Sequence, residues 1–227
     1  MNTTPPQKKP RLISQRSGRT ASKEVRKHQL IEATIASIAQ HGISGTTMNT
    51  VTKLAGLSVG IVNFHFESKE KLFEETLRHL ANEHRERWKQ TATKSDLAPA
   101  DRLLAIVEAE FHPDICSPEK LTVWTSFYGE AGYRASYRRI VSEIDTERWE
   151  ASKALCAQII KDGGYSDLSA HEIAETLEGL FDGFCLNILI YPGEFTNVDA
   201  KARVQSFLAT TFPQHFDKPK RTDQASN

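Results

Sequence analysis

Apolar side chains recur along the chain at intervals of three and four residues. Two examples are the series Leu30, Ile31, Ile35, Ile38 and the series Leu177, Leu180, Phe181, Phe184. This spacing places apolar side chains on one side of an α-helix, and no stretch shows the alternation that flanks the turn of a β-hairpin. The pattern therefore predicts an all-α fold.

Residues that disfavour helix interrupt this pattern and divide the chain into about nine predicted helices. The interruptions fall at residues 41–42, 55–58, 95–99, 113–118, 163–164 and 192–193. Two predicted helix starts also carry capping chemistry. Ser117 precedes a proline at the first helical position, and Ser169 is followed three residues later by Glu172, as in a capping box.

Residues 46–66 show the spacing of a helix-turn-helix. A short helix over residues 46–54 is followed by Gly56, which can adopt the positive φ that a tight turn needs, and Ser58 begins a second short helix. The spacing is also compatible with a small helical protein that binds no DNA. The side chains expected to face the core are Val51 and Leu54, with Val59 or Val62.

Charge is unevenly distributed although the net charge is zero. Residues 1–90 carry 15 Lys and Arg against 8 Asp and Glu, whereas the remainder carries 14 against 21, which leaves +7 and −7. Eight of the basic residues precede Gln29, where Glu24 is the only acidic one. Such a segment favours a polyanionic partner, and a basic tail without a specific partner is the alternative.

Several motifs occur together without a gap over residues 42–72. They are the Thr46-Thr47 pair, the run Ala-Gly-Leu-Ser-Val-Gly ending at Gly60, the aromatic residues around His65, and the run Ser-Lys-Glu-Lys-Leu ending at Leu72. With the preceding amphipathic helix, this segment resembles the TetR family of transcriptional regulators. Phe64 stands where the family's common pattern has tyrosine, and Val51-Thr52 where it has Ile-Ala.

The resemblance implies roles in DNA binding. Thr46 and Thr47 are expected to hold a phosphate through a hydroxyl and helix N-terminal amides, and Lys69 to neutralise another. Within the recognition helix, the residues that approach base edges and the sugar-phosphate backbone are Ser58, Val59, Gly60, Asn63, Phe64 and His65. Phe66 is expected in the core. Arg16 and Arg19 are predicted to act as a minor-groove arm.

The C-terminal part has a second resemblance, over residues 120–128, 137–155 and 180–184, to the BetI-type choline-responsive repressors. It implies a small-molecule effector, for which a choline-like quaternary amine is a candidate because aromatic faces and a carboxylate recognise such cations. The candidate ligand-binding residues are Trp124, Phe127, Tyr128, Trp149, Phe181 and Asp182, with Asp145 and Glu178 as further counter-charges. At Phe184-Cys185 the chain departs from the Leu-Trp of that pattern.

The last two predicted helices, over residues 169–190 and 198–212, are apolar along one broad face, with Gly179 and Gly183 allowing close approach. We expect them to form a homodimer interface because a palindromic operator requires two-fold symmetry. Ordinary intrachain core is the alternative. The predicted domains are a disordered basic arm (1–21), a helix-turn-helix DNA-binding domain (22–68), a ligand-binding and dimerisation domain (69–216) and a disordered tail (217–227).

Other functional classes lack support in the sequence. We find no nucleophile elbow, phosphate-binding loop, HExxH motif or paired cysteines, so no enzymatic activity, cofactor or metal is predicted. The three cysteines are far apart along the chain and are expected to be reduced core residues. The longest apolar stretch, residues 184–191, is too short to span a bilayer, and no secretory signal is recognised, which predicts a cytoplasmic protein. A helical protein-interaction domain, a different ligand, and either sign of regulation stay open.

Overall fold

The computed structural model describes residues 22–219, and over that range the chain forms nine helices and no strand. The helices are α1 (Lys23–Gly45), α2 (Met48–Ala55), α3 (Val59–His65), α4 (Lys69–Ala92), α5 (Pro99–Glu110), α6 (Pro118–Ala131), α7 (Ala135–Gly163), α8 (Ala170–Ile190) and α9 (Asn197–Thr211). The all-α prediction is confirmed. The predicted arm over 1–21 lies outside the described residues, as does the tail beyond residue 219.

Glycines with positive φ lie at four of the predicted breaks. Gly42, Gly56, Gly164 and Gly193 have φ of 68°, 65°, 65° and 85°, values that residues with a Cβ rarely adopt. The break between α6 and α7, at residues 132–134, is not among the predicted ones. It carries no proline, and Gly132 keeps helical backbone angles, so the sequence offers only a weak signal there.

Hydroxyl caps begin several helices. The Ser117 side chain accepts a hydrogen bond from the Lys120 amide, and Pro118 is the first residue of α6, as predicted. At α8, the Ser169 hydroxyl accepts from the Glu172 amide, but the reciprocal half of a capping box is not present at this described helix start.

Two apolar cores divide the described part of the chain. The first joins α1, α2 and α3 to residues 72–81 of α4 and to one end of α6 and α7, whereas the second is formed by the rest of α4 with α5, α7, α8 and α9. Val51 and Val62 are fully buried in the first core, but Leu54 is 45% exposed, which corrects the expectation that it faces inward. Helix α4 therefore belongs to both cores.

None of the helices in the described range is long and apolar enough to cross a membrane.

Candidate DNA interface and ligand cavity

The loop before α2 and the turn after it orient two short helices. Thr47 caps α2: its hydroxyl accepts from the Thr50 amide at 3.1 Å, while the Thr50 hydroxyl accepts from the Thr47 amide at 2.9 Å. Gly56 then takes the left-handed conformation that ends α2, and Ser58 is the N-cap of α3. This is the geometry of a helix-turn-helix.

The outer face of α3 carries exposed residues, and the Lys23 ammonium lies 5.9 Å from the centroid of the Phe64 ring. The exposed side chains or backbone positions predicted to contact DNA are Ser58, Val59, Gly60, Asn63 and Phe64. Phe64 is 74% exposed, an unusual position for a large aromatic ring, whereas Phe66 is buried as predicted. In the described part of the chain, a Cβ added at Gly60 would meet only the Ser58 hydroxyl, at 3.9 Å. The fold itself therefore does not require glycine at that position.

Thr46 does not lie on this surface. Its side chain is fully buried, and its hydroxyl donates to the Gly42 carbonyl at 2.9 Å and accepts from the Ser37 hydroxyl at 3.1 Å. The hydroxyl stabilises the loop before α2 and cannot reach a phosphate. This placement corrects the phosphate-binding role expected for Thr46. Thr47, by contrast, is exposed.

His65 and Lys69 lie at the edge of the same surface. His65 is partly buried, and its Nδ1 has no hydrogen-bond partner within residues 22–219. Its pKa is lowered, chiefly by withdrawal from water and then by the charge of Lys23, so the ring is neutral at pH 7. The Lys69 ammonium lies 5.1 Å from the centroid of the Phe73 ring. Arg16 and Arg19 lie outside the described residues.

A cavity of about 420 Å³ opens between α4, α5, α6, α7 and α8. On one side, the Trp124 and Tyr128 rings of α6 stack with their centroids 5.8 Å apart and their planes 29° from parallel. Asp145 and Asp182 contribute carboxylates from α7 and α8. Of the predicted ligand-binding residues, Trp124, Tyr128 and Asp182 line this cavity.

Three predicted ligand-binding aromatics do not line it. Phe127 is fully buried against Phe73 and Tyr137 in the first core, because position i+3 from Trp124 turns away from the cavity side of α6. Phe181 is buried in the second core, and Trp149 packs against His171. These placements correct the expectation for all three.

A buried arginine that the sequence analysis did not single out organises the polar wall of the cavity. The guanidinium of Arg148 donates to Glu178 through two nitrogens, to Glu110 at 3.2 Å and to Asp145 at 3.4 Å. His84 completes the group, with its Nε2 2.8 Å from Glu110 Oε2. Four carboxylates, including that of Asp182, thus face one guanidinium and one imidazole, so the wall carries excess negative charge when all four are ionised.

The pKa values of these carboxylates diverge. Burial opposes ionisation of Glu110, but His84 and Arg148 outweigh it and lower the pKa to about 2. At Asp145, burial dominates, assisted by Glu178 and Asp182, and raises the pKa to about 6 in spite of Arg148. Burial also raises the pKa of Asp182. Glu110 is therefore a fixed anion, whereas Asp145 titrates close to neutral pH.

Two cysteines that are far apart along the chain meet in the cavity wall. The Sγ atoms of Cys116 and Cys185 lie 3.7 Å apart, and both thiols are free. Cys185 occupies the position where the BetI-type pattern has tryptophan. The cavity-lining residues that the sequence did not predict come from five separate helices and a loop, so no local sequence motif could have grouped them.

Comparison with known proteins agrees with both halves of this architecture. Residues 30–76 match the family described as bacterial regulatory proteins of the tetR family, and residues 99–213 match the C-terminal domain of BetI-type transcriptional repressors. An HTH-type transcriptional regulator BetI from Burkholderia thailandensis is 35% identical over 187 residues, covering 81% of this chain and 90% of the relative. Its counterpart from Paraburkholderia xenovorans is 34% identical, with coverage of 72% and 82%.

Solved structures share the fold. A transcriptional regulator from Pseudomonas aeruginosa PAO1 aligns with a TM-score of 0.75 and 26% identity, over 86% of this chain and 93% of its own. A regulator from Saccharomonospora viridis, solved in complex with choline, aligns with a TM-score of 0.72 and 19% identity, over 82% and 96%. The helix-turn-helix, the helical domain with its cavity and these matches together show that the chain belongs to the TetR family of transcriptional regulators, with a C-terminal domain of the BetI type.

Proposed function

We propose that this regulator is a homodimeric repressor that holds operator DNA with α3 and is released when a small organic cation, of the quaternary ammonium class, enters the cavity. The observation that carries the ligand class is the pairing of the stacked Trp124 and Tyr128 rings with an excess of carboxylates. A quaternary ammonium has no proton to donate, so aromatic faces and nearby negative charge are the groups that recognise it.

The choline bound to the Saccharomonospora viridis regulator supports this class of ligand. A larger cation, or an unrelated ligand, is the second candidate. It is favoured by Cys185, which lines the cavity and has a smaller side chain than the tryptophan of the BetI-type pattern.

The proposed DNA contacts follow from the exposed face of α3. Ser58, Val59, Gly60 and Asn63 approach base edges, while Thr47, Phe64, His65 and Lys69 contact the sugar-phosphate backbone. Arg16 and Arg19 remain proposed for the adjacent minor groove. In a symmetric dimer, the two recognition helices would lie about 34–36 Å apart, in successive major grooves.

The exposed faces of α8 and α9 support the proposed dimer. Leu186, Ile190 and Val198 are between 45% and 68% exposed, and a Cβ at Gly179 or Gly183 would have no described neighbour within 4 Å. An apolar face with room for close approach suits a two-fold packing of helices.

The proposed domain division at residues 68 and 69 falls between α3 and α4. We propose that the protein acts by binding alone, on DNA in the cytoplasm.

The test is fluorescence anisotropy of labelled DNA from upstream of the protein's own gene, at fixed salt. Choline, betaine aldehyde and 3,3-dimethylbutanol, the neutral isostere of choline, are then added to the complex. Release by the cations but not by the isostere supports the proposal. Sequence-specific binding that neither cation changes would overturn the ligand class, and binding indifferent to DNA sequence would overturn the operator function.

A further inference from the structure

Three potential metal ligands meet on the outer surface where α1 crosses α4, away from the cavity. His28 and Glu32 are one turn apart on α1, and His79 approaches from α4. Glu32 Oε1 lies 3.7 Å from His28 Nε2 and 3.3 Å from His79 Nε2. One ligand atom from each residue lies within 4.8 Å of the other two. Two elements of the fold thus bring these side chains together.

The donor set and its spacing fit a borderline divalent cation. Zn²⁺ is bound by imidazole nitrogen and carboxylate oxygen at roughly 2.0–2.2 Å, which places tetrahedral ligand atoms roughly 3.3–3.6 Å from each other. The observed contacts of Glu32 are close to that spacing, so small rotations of the side chains would complete the geometry. Two imidazoles and one carboxylate would leave the fourth position to water, as in three-ligand zinc sites.

The three side chains have no competing role among the described residues. Neither histidine makes a hydrogen bond or ion pair other than with Glu32, and their rings stand edge to face with centroids 5.2 Å apart. The hydrogen bond from His79 is the largest influence that lowers the pKa of Glu32, which keeps the carboxylate ionised. Lys120 is the nearby competing cation, but its ammonium is held by Glu83 at 2.6 Å.

We infer that His28, Glu32 and His79 form a binding site for a divalent cation of the Zn²⁺ class. The bound ion would connect α1 to α4. Helix α1 packs in the first core with α2 and α3, whereas α4 belongs to both cores. A metal link between α1 and α4 would therefore restrict rotation of the DNA-reading helices relative to the cavity. Metal binding is therefore expected to stabilise the fold and to change the amount of ligand needed for release from DNA.

The site can be tested by titrating Zn²⁺ into the full chain, without an affinity tag and after treatment with a chelator, in isothermal titration calorimetry. His28→Gln, Glu32→Gln and His79→Gln should each weaken a one-to-one site at least tenfold. The matched control is His171→Gln, since His171 and Glu175 form the same one-turn pair, 3.2 Å apart, without a second histidine. That variant should bind Zn²⁺ as the unmodified chain does.

Thermal unfolding supplies an independent readout. Zn²⁺ should raise the Tm of the unmodified chain and of His171→Gln, but not that of His79→Gln, and circular dichroism verifies that each variant is folded. Zn²⁺ binding that survives in His79→Gln with unchanged affinity would overturn the assignment and place the metal elsewhere, for example at the two cavity thiols. Absence of binding to the unmodified chain would also overturn it. Neither result bears on the proposed cation cavity.

Discussion

His84 of α4 and Glu110 of α5 meet in the wall of the cavity, with Nε2 2.8 Å from Oε2 and both side chains buried. Helix α4 begins at Lys69, three connecting residues after the recognition helix ends, and reaches the cavity four turns later. A ligand that changes this contact acts on the helix shared by both cores. The proposed release from DNA requires that the ligand bind the two states with different affinity, and couplings of this kind are typically about 1–3 kcal/mol.

The carboxylate of Asp182 is expected to attract the cation. Asp182→Asn should weaken choline binding roughly three- to tenfold, because a partly exposed charge at short range is only partly screened by water. Isothermal titration calorimetry measures the affinity. Asp167→Asn, in the loop before α8, is the matched control, and binding of 3,3-dimethylbutanol should be the same in both variants. An unchanged affinity for choline in Asp182→Asn would remove this carboxylate from the site.

Cation binding should strengthen as the pH rises through about 6, the pKa of Asp145. Below that pH the carboxyl is neutral and contributes no attraction, whereas above it the carboxylate is ionised. The other groups that face it are His84, Glu110, Tyr128, Arg148, Glu178 and Asp182. The informative comparison is with Asp145→Asn, because the other groups around the cavity are unchanged in that variant. Calorimetry between pH 5 and 7.5 should show a flatter profile in the variant, and superimposable profiles would contradict the assignment.

Arg148 is expected to hold the polar wall together. Arg148→Met should lower the free energy of unfolding by about 3–5 kcal/mol, because it leaves buried carboxylates without their partner. Urea denaturation followed by circular dichroism measures the loss. Arg138→Met, at an exposed position of the same helix, is the control and should change stability little. Equal stability of the two variants would show that Glu110 and Glu178 do not depend on Arg148.

A substitution of Gly60 is expected to change folding stability and DNA affinity in opposite directions. Gly60→Ala should raise the free energy of unfolding by about 0.5–1 kcal/mol, because alanine is the better helix former and the new Cβ has space. It should nevertheless weaken operator binding, since the backbone can no longer approach the DNA as closely. Gly129→Ala, in α6, should give a similar gain in stability with normal DNA binding. Unchanged binding by Gly60→Ala would exclude a close approach at this residue.

Asn63 and Lys69 are expected to act on DNA in different ways. Lys69→Ala should weaken binding to every DNA sequence and reduce the slope of log K against log salt by about one, because one phosphate contact is lost. Asn63→Ala should mainly relax base preference, at a cost of about 1–3 kcal/mol at its base pair. Anisotropy with operator and base-substituted duplexes at several salt concentrations distinguishes the two effects. Unchanged binding in both variants would contradict the proposed DNA surface.

The sequence by itself determined the helical character of the protein and its DNA-reading half. Helix periodicity and breaks at positive-φ glycines act locally, so the positions of Gly42, Gly56 and Gly164 are sufficient to place three turns. The short helix that begins after Ser58 carries Phe64 and ends beside Phe66, and the local motif sufficed to predict which of the two rings is buried.

Only the tertiary structure decided which side chains share a wall. Phe127 and Trp124 are both aromatic residues on α6, yet one is core and the other lines the cavity, because the neighbours of each face come from other helices. The contacts of Arg148 with Glu110 and Glu178, the approach of Cys116 to Cys185, and the meeting of His79 with Glu32 all join residues distant in sequence. Such contacts depend on how the helices pack, and helical periodicity carries no information about that packing.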